Sequence, residues 1–241
     1  MARLSRVPLA GLEAGQRTLD SKTARYLLDV LRLRKDDAFL AFDSDAQLEA
    51  DATLGEGSAC VIGAVRAAPR ALATGIVLVQ ALGKGDKTEQ VVRSATALGV
   101  AEVHLVESAR SVARVGERSE AKHARLESIA LDAARQCGRG DVPKIVGPHA
   151  LRQELLEWRE LRALKLCLVP GATRTLRSLT EPWTVGSPIA LLVGPEGGLA
   201  EEELGAAEAA GFVPVRFGEL VLRTEVAGVA ALGALLLLAQ R

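Results

Sequence analysis

Hydrophobic and polar positions change their pattern near residue 75, and from there short apolar runs alternate with longer amphipathic segments. The apolar runs have the length of buried strands. They are Gly75–Ala81, Val103–Val106, Leu164–Val169, Ile189–Val193 and Val213–Phe217. The amphipathic segments, each followed closely by a glycine, predict helices. They are Thr88–Leu98, His123–Gln136 and Glu201–Ala210. Strands that alternate with helices predict an α/β domain in which a parallel sheet is covered on both faces.

The first 70 residues lack this alternation. Short segments of β character, Ala38–Phe42 and Ala59–Ile62, are separated by turns rich in Asp and Gly, and one helical segment covers Ser21–Leu31. We therefore predict a small β-rich domain over residues 1–70 and an α/β domain over residues 71–241.

Composition narrows the class of protein. Apolar residues make up 49% of the 241 residues and aromatic residues only 3%, so the core must consist mainly of Ala, Val and Leu. The three cysteines and three histidines have no CxxC or metal-ligand spacing, so we expect neither a disulfide framework nor a bound metal. We see no apolar export signal, and the apolar run Val226–Ala239 is too short to span a bilayer. We therefore expect a cytoplasmic protein.

Charge is unevenly distributed near the N-terminus, although the formal net charge of the chain is zero. Residues 1–35 contain eight Lys or Arg and three acidic residues, whereas residues 36–60 contain seven acidic residues and no Lys or Arg. Either both regions form solvated faces that attract each other, or the first forms a basic edge that binds RNA. The basic side chains of this edge are Arg3, Arg6, Arg17, Lys22, Arg25, Arg32 and Arg34.

Two other segments have basic residues next to helix ends. Gly83–Glu89 follows a predicted strand and opens a helix, but it lacks the GxxxxGK[ST] pattern of a P-loop. It is either a turn before a capped helix or a loop that holds a nucleic-acid phosphate through Lys84 and Lys87. Arg135 and Arg139 either complement a helix dipole or extend an RNA-binding surface.

Two loops near the C-terminus give the strongest functional signal. Gly194–Gly198 connects a buried strand to a helix that begins with three carboxylates, and Gly218–Glu225 lies between the next strand and the last helix. Loops at such junctions bring main-chain groups against a ligand. Because the two loops are so close in sequence, they predict one site built from both.

Five segments resemble one known family, in order along nearly the whole chain. They are YLLDVLRLRKDD (26–37), KGDKTEQVVRSATALGV (84–100), ARQCGR (134–139), LLVGPEGGLAEEEL (191–204) and FGELVLRTEVAGVAAL (217–232). They are similar to the bacterial 16S ribosomal RNA uridine-N3-methyltransferases, the RsmE family of the SPOUT class. The chain departs from the family pattern at Tyr26, where histidine is usual, at Ala97, where glutamate is usual, and at Val226, where threonine is usual.

The resemblance implies a PUA-like β-barrel domain followed by an α/β domain, a SPOUT-type parallel sheet with a C-terminal trefoil knot. It implies S-adenosylmethionine as the methyl donor, a homodimer packed through the knotted region, and a uridine of 16S rRNA in the small ribosomal subunit as the substrate. The alternatives are a SPOUT ribose 2′-O-methyltransferase acting on rRNA or tRNA, and a non-catalytic RNA-binding protein.

The resemblance also implies roles for individual residues. The expected catalytic residues are Arg223, which stabilises the developing uridine anion or binds a phosphate, and Glu196 or Glu225, which accepts the N3 proton or orients the base. The expected cofactor-binding residues are Val169, Pro170, Val193, Gly194, Glu196, Gly197, Gly198, Gly218, Leu220, Val221, Leu222 and Thr224. The expected RNA-binding residues are Arg3, Arg6, Lys22, Arg25, Arg32, Arg34, Lys84, Lys87, Arg135 and Arg139.

Overall fold

The computed structural model describes residues 4–69, 75–111, 119–180 and 187–239, and the chain divides into two compact units. The N-terminal unit comprises Met1–Arg70 and Ala134–Val142, and the C-terminal unit comprises Ala71–Ala133 and Pro143–Arg241. The longer segment of the N-terminal unit ends at Arg70. Ala134–Val142, however, groups with the N-terminal unit rather than with the α/β domain to which the sequence pattern assigns it.

The N-terminal unit is built on a six-stranded sheet, in keeping with its β-rich sequence. Its elements are β1 (Arg6–Pro8), β2 (Gly15–Thr18), α1 (Ser21–Arg25), β3 (Ala38–Asp43), β4 (Leu48–Leu54), β5 (Ala59–Ile62) and β6 (Arg66–Ala67). The strand order is β1-β3-β4-β5-β2, with β6 paired to β4. Strands β1 and β3 run parallel, and the other pairs are antiparallel.

The predicted helix Ser21–Leu31 is only in part an α-helix. Asp20 caps its N-terminus by accepting hydrogen bonds from two backbone N–H groups. Beyond α1 the chain continues as a π-helical turn, Tyr26–Val30, and Leu27 of this turn is fully buried. The apolar residues of this segment are not all buried, because Leu28 is 40% exposed, and the sequence pattern did not distinguish the α-helix from the π-helix.

The C-terminal unit contains a sheet of six strands that all run parallel, which confirms the predicted α/β fold class. Its elements are β7 (Ile76–Ala81), α2 (Lys87–Ala97), β8 (Glu102–Glu107), α3 (Ser119–Cys137), β9 (Lys144–Ala150), α4 (Leu151–Arg159), β10 (Leu164–Leu168), α5 (Leu176–Thr180), β11 (Ile189–Val193), α6 (Glu201–Ala209), β12 (Val213–Val215) and α7 (Thr224–Ala239). The strand order is β12-β10-β11-β7-β8-β9. Within the described residues, no helix is long and apolar enough to cross a membrane.

Helices cover both faces of this parallel sheet. On one face, Val77, Val79 and Ala81 belong to a buried cluster with residues of α4 and α6. On the other face, α7 approaches so closely that a Cβ at Gly228 would lie 3.2 Å from a side-chain atom of Leu78. Alternate residues of β7 therefore face opposite helix layers, which explains the almost continuous apolar sequence of this strand.

The three cysteines are free thiols, and two of them are buried. Cys60 lies in β5 of the N-terminal unit, and Cys167 lies in β10 of the C-terminal unit. Burial raises the pKa of both thiols, that of Cys167 to about 12. Both side chains are therefore core residues rather than nucleophiles.

Candidate functional site

A cavity of about 520 Å³ opens at the carboxyl ends of three neighbouring strands of the C-terminal unit. Most of its lining residues come from the ends of β10, β11 and β12 and from the loops that follow these strands, and the others come from the helices α2, α6 and α7. In open α/β sheets, ligands bind in the crevice outside the carboxyl ends of the strands. The volume also lies within the range of about 300–1,000 Å³ that is typical of small-molecule sites. Fold and size thus both indicate a ligand site.

The loop after β11 turns sharply at two glycines. Gly198 has a φ of 69°, in the left-handed region, and its N–H donates to the carbonyl of Pro195 (2.9 Å). A Cβ at Gly194 would lie 3.2 Å from the backbone nitrogen of Leu199, so a larger residue would force the turn open. The two glycines therefore keep the main chain of this loop close to the cavity.

The same loop is held from the side of β8. Arg110 donates from Nη1 to the carbonyls of Gly197 (3.0 Å) and Leu199 (3.3 Å). Glu203 of α6 accepts a hydrogen bond through Oε2 from the N–H of Ala200, the residue before this helix (2.9 Å). Its Oε1 accepts a hydrogen bond from the N–H of Ala109 (2.7 Å). Arg110 is thus a structural support of the loop.

Thr224, the first residue of α7, joins three segments of the chain. Its hydroxyl donates to the carbonyl of Gly194 (2.7 Å) and accepts a hydrogen bond from Nε2 of Gln80 (3.1 Å). Both side-chain partners are buried, since Gln80 is 1% exposed and Thr224 is 6% exposed. One hydroxyl therefore connects the end of β7, the loop after β11 and the start of α7.

The loop after β12 supplies an apolar wall. Arg216 donates from Nη1 to the carbonyls of Ala172 (2.9 Å) and Thr173 (3.0 Å), which fixes the loop after β10 beside β12. Further along, Leu220 and Val221 line the cavity although they are 83% and 76% exposed. Exposed apolar side chains that lie together in this way mark a surface that binds another molecule.

Three charged side chains meet beside the cavity. The Nζ of Lys87 lies 2.7 Å from Oε1 of Glu196 and 3.5 Å from Oε2 of Glu225. The hydrogen bond from Lys87 lowers the pKa of Glu196, and the same bond raises the pKa of Lys87. Both groups are therefore charged at neutral pH.

Most of the residues expected to bind a cofactor surround this one cavity. Eleven of the twelve line it: Val169, Pro170, Val193, Gly194, Glu196, Gly198, Gly218, Leu220, Val221, Leu222 and Thr224. Gly197 is not a lining residue, and its carbonyl accepts a hydrogen bond from behind the loop. Among the expected catalytic residues, Arg223 and Glu196 line the cavity, whereas Glu225 does not and instead contacts Lys87.

The sequence did not identify all the residues that line the cavity. Lys87 is a lining residue, although the sequence suggested that it binds RNA. The missed residues are Leu168, Pro195, Leu199, Leu204, Arg216, Phe217 and Ala227. Most of them adjoin a predicted residue, so they belong to the same loops. Leu204 and Ala227 lie near the starts of α6 and α7, one helical turn from the predicted loops, so helical spacing is the signal that could have identified them.

The predicted RNA-binding residues separate into an exposed group and a buried group. The exposed ones are Lys22, Arg25, Arg32, Arg34 and Lys84. Arg6 and Arg139 are only 8% and 5% exposed, and they pair with Glu49 (2.9 Å) and Asp141 (2.6 Å). Because a buried charge needs its partner, we correct the assignment of these two arginines from RNA contacts to structural residues of the N-terminal unit.

Arg135 also has contacts within the N-terminal unit. Its guanidinium lies 4.2 Å from the centroid of the Tyr26 ring, and its Nε donates to the carbonyl of Arg6 (3.1 Å). This cation–π contact gives a structural reason for the aromatic residue at position 26. Arg3 lies outside the described residues.

Comparison with known proteins gives this cavity a family context. The family model of the RNA methyltransferase domain matches residues 70–236. Ribosomal RNA small subunit methyltransferase E of Bacillus subtilis is 26% identical over 234 residues, which are 92% of this chain and 90% of that protein. The protein of the same name from Synechocystis is 31% identical over 222 residues, which are 89% of this chain and 71% of that protein.

Two solved structures are similar over nearly their full length. A methyltransferase of Legionella pneumophila, solved with its bound cofactor SAM, has a TM-score of 0.86 and 30% identity, with 97% of each chain covered. Ribosomal RNA small subunit methyltransferase E of Neisseria gonorrhoeae, solved with S-adenosyl methionine, has a TM-score of 0.83 and 27% identity, with 96% of each chain covered. The chain therefore belongs to the ribosomal RNA small subunit methyltransferase E family of RNA methyltransferases.

Proposed function

We propose that this protein transfers the methyl group of S-adenosylmethionine to N3 of a uridine in 16S rRNA of the small ribosomal subunit. The observation that carries the proposal is the cavity of about 520 Å³ at the ends of β10, β11 and β12. It lies within the residues matched by the RNA methyltransferase family, and related structures hold this cofactor. The same proposal includes a cytoplasmic location, because ribosomal RNA is the substrate.

The residues around the cavity fit the cofactor. An adenosyl group has apolar faces and polar edges, and the cavity combines apolar side chains with the exposed main chain of a glycine loop. At Gly194 and Gly198 the close approach of the backbone leaves main-chain groups free of a covering side chain. Leu220 and Val221 would cover the apolar faces of the ligand and exclude water from it.

The chain's own residues must then handle a proton. When bound, S-adenosylmethionine supplies a methyl group that is already activated, so the protein has to orient uridine and assist the loss of its N3 proton. Arg223 is exposed on the cavity wall, where its guanidinium would stabilise the negative charge that develops on the base. Glu196 is held ionised by Lys87 and would accept the proton or orient the N3–H group.

Three finer features belong to the same proposal. The N-terminal unit is a PUA-like β-barrel that contacts RNA through its exposed residues Lys22, Arg25, Arg32 and Arg34. The segment from β11 to α7 forms a trefoil knot, and the hydrogen bonds of Thr224 across three segments support this arrangement. Two copies associate through the knotted region, where exposed apolar side chains are available.

Nucleoside analysis tests the proposed reaction directly. Small subunits that lack the modification are incubated with the protein and labelled S-adenosylmethionine, and the rRNA is digested and analysed by mass spectrometry. We expect labelled N3-methyluridine. A labelled ribose-methylated nucleoside would instead identify a 2′-O-methyltransferase, and RNA binding without label would identify a non-catalytic binding protein.

Substitution of Arg223→Ala tests the active site within this assay. Because Arg223 lines the cavity and is exposed, we expect a loss of about 100-fold or more in kcat with an unchanged fold. Arg152→Ala removes an equally exposed arginine from α4, outside the cavity, and is expected to keep full activity. Equal turnover of the two variants would remove Arg223 from the mechanism.

A further inference from the structure

The side chain of Lys87 is directed by the loop before α2. Lys87 is the first residue of α2, and a Cβ at Gly83 would lie only 2.9 Å from its Cβ. Gly83 therefore leaves space for the stem of the lysine. The loop is closed behind it, because the N–H of Gly83 donates to the hydroxyl of Thr88 (3.3 Å), which is buried. The ammonium group thus reaches the cavity from a fixed position.

This ammonium is already occupied by two carboxylates from different segments. Glu196 belongs to the loop after β11 and Glu225 to the first turn of α7, and both lie within ion-pair distance of Nζ. Glu196 also accepts a weaker hydrogen bond from the backbone N–H of Lys84 (3.4 Å). Since the Lys87 side chain is only 28% exposed, it is poorly placed to contact an RNA phosphate.

Glu225 depends on the same cation. Its Oε2 is buried and has no hydrogen-bond partner among the described residues. The ammonium of Lys87, 3.5 Å away, forms an ion pair with this oxygen. Without Lys87, two carboxylates of like charge would face each other at the edge of the cavity. Like charges at such distances favour protonation of one of them.

We propose that Lys87 is a positioning residue for methyl transfer, whose ammonium holds Glu196 and Glu225 as a pair of ionised carboxylates beside the cavity. This inference rests on the proposed function, and it replaces the RNA-phosphate role that the sequence suggested for Lys87. Among the residues that the structure describes, Glu196 and Glu225 are the charged side chains that face Lys87, and Lys87 is the charged side chain that faces Glu196.

The first test is the pH dependence of kcat in Lys87→Met and Lys87→Arg. In K87M we expect the acid limb of the profile to move to higher pH by about one unit or more, because a carboxylate loses its cation. At a pH on the acid limb, kcat of K87M is then about tenfold lower than kcat of the wild type, because a pKa that is one unit higher lowers the ionised fraction of a mostly protonated carboxylate tenfold. The KM for RNA stays unchanged, and K87R recovers most of the activity because it retains the charge.

Lys84→Met is the matched control for this test. It removes the same charge three residues earlier, in the loop before α2, but the side chain of Lys84 is exposed and its contact with Glu196 is made by the backbone N–H. We expect K84M to raise the KM for RNA without moving the acid limb. If K87M behaves in the same way as K84M, Lys87 is an RNA contact and the proposal is wrong.

A second test needs no activity and keeps the two proposals distinguishable. Thermal unfolding is measured for Glu196→Gln in the wild type and in K87M. With Lys87 present, E196Q removes an ion pair and lowers Tm, whereas without Lys87 it removes a repulsion and raises Tm. The same change of Tm in both backgrounds would overturn the proposal, even if the wild-type protein methylated no RNA.

Gly83→Ala gives an independent perturbation of the same lysine. Its Cβ would displace the stem of Lys87 while leaving every charge in place. We expect G83A to move the acid limb in the same direction as K87M. A profile identical to that of the wild type would contradict the proposed role of the lysine geometry.

Discussion

At the scale of single residues, the cavity depends on a few buried polar groups. The hydroxyl of Thr224 is hydrogen-bonded to both Gln80 and Gly194, and the side chains of Thr224 and Gln80 are buried. Removal of one such partner leaves buried donors or acceptors unsatisfied, and that cost exceeds the value of the lost hydrogen bond itself. The position of the glycine loop is therefore sensitive to one side chain that is not charged.

Thr224→Val tests this dependence. Valine has nearly the same shape, but it leaves the carbonyl of Gly194 and the amide of Gln80 without this partner, so we expect a loss of about 1–3 kcal/mol in the free energy of unfolding. Urea unfolding measures the loss, and calorimetry should detect weaker binding of S-adenosylmethionine. Thr224→Ser keeps the hydroxyl and serves as the control. Equal stability of T224V and T224S would contradict the argument.

Another buried polar network lies on β8 and does not line the cavity. His104 is hydrogen-bonded through Nδ1 to the buried Glu154 and through Nε2 to Glu102 (2.9 Å). Burial disfavours the imidazolium, but the two carboxylates outweigh it and raise the pKa of His104 above its ordinary value of 6.5. Trp158 also donates to Glu154 (2.8 Å), which keeps that carboxylate in place.

The raised pKa of His104 predicts a pH-dependent component of stability. A group whose pKa is higher in the folded state stabilises the fold below its unfolded pKa, and this contribution disappears as the pH rises through the folded value. The free energy of unfolding of the wild type should therefore fall as the pH is raised above 6.5. His104→Gln should lack this fall. Parallel pH profiles of the two proteins in urea unfolding would refute the prediction.

Burial of single charges was the property that the sequence predicted least well. Arg6 and Glu49 are 43 residues apart, and nothing in their local context indicates that they pair inside the fold. The glycines of the loop after β11 were easier to identify, because turn chemistry is local. Short-range requirements can thus be predicted from sequence, whereas ion pairs between distant residues cannot.

At the scale of elements, the close packing of α7 on the sheet positions the cavity. Gly228 allows this helix to approach β7 and β11, where a Cβ would lie 3.2 Å from atoms of Leu78, Gln80 and Val193. Strand β9 shows the limit of periodicity, because Gly147 and Pro148 within it indicate a turn rather than a strand. The largely apolar strands β7 and β11 were predicted from their sequence, whereas β9 was not.

Gly228→Val tests the contact between α7 and the sheet. The added side chain must displace three buried neighbours, so we expect a loss of about 1–3 kcal/mol in stability and weaker binding of S-adenosylmethionine. Gly233→Ala, in the same helix, is the control, because its Cβ would be 4.0 Å from the nearest recorded atom, Cδ1 of Leu98. That variant should gain about 0.5–1 kcal/mol from helix propensity. Equal losses of stability in the two variants would show that α7 is sensitive to any substitution, and that the close approach at Gly228 is not the cause.

At the scale of the whole molecule, basic residues are divided between a structural and a surface role. The formal net charge is zero, so any attraction of RNA must come from local groups. Arg32 is exposed, whereas Arg6 is buried in an ion pair, although both belong to the same basic stretch of sequence. Sequence composition alone does not separate these two roles.

Arg32→Ala should therefore change RNA binding, whereas Arg6→Ala should change the stability of the fold. Loss of an exposed phosphate contact should weaken RNA binding and lower the salt slope of the binding constant by about one. Loss of Arg6 removes one of the two arginines that pair with the buried Glu49; because Arg66 still contacts Glu49, it should cost about 1–3 kcal/mol of stability. Fluorescence anisotropy across a salt series and urea unfolding measure the two effects. A reduced salt slope in folded R6A would contradict the structural role assigned to Arg6.

The two buried thiols have a practical consequence. Cys60 reports on one unit and Cys167 on the other, and neither reacts while its surroundings stay closed. Alkylation of the native protein over time, followed by peptide mass mapping, would give two separate opening rates from one unmodified chain. The alkylation rate of each buried cysteine would thus measure the opening of its own unit. A comparison with and without a ligand would reveal whether the ligand slows the opening of the C-terminal unit alone.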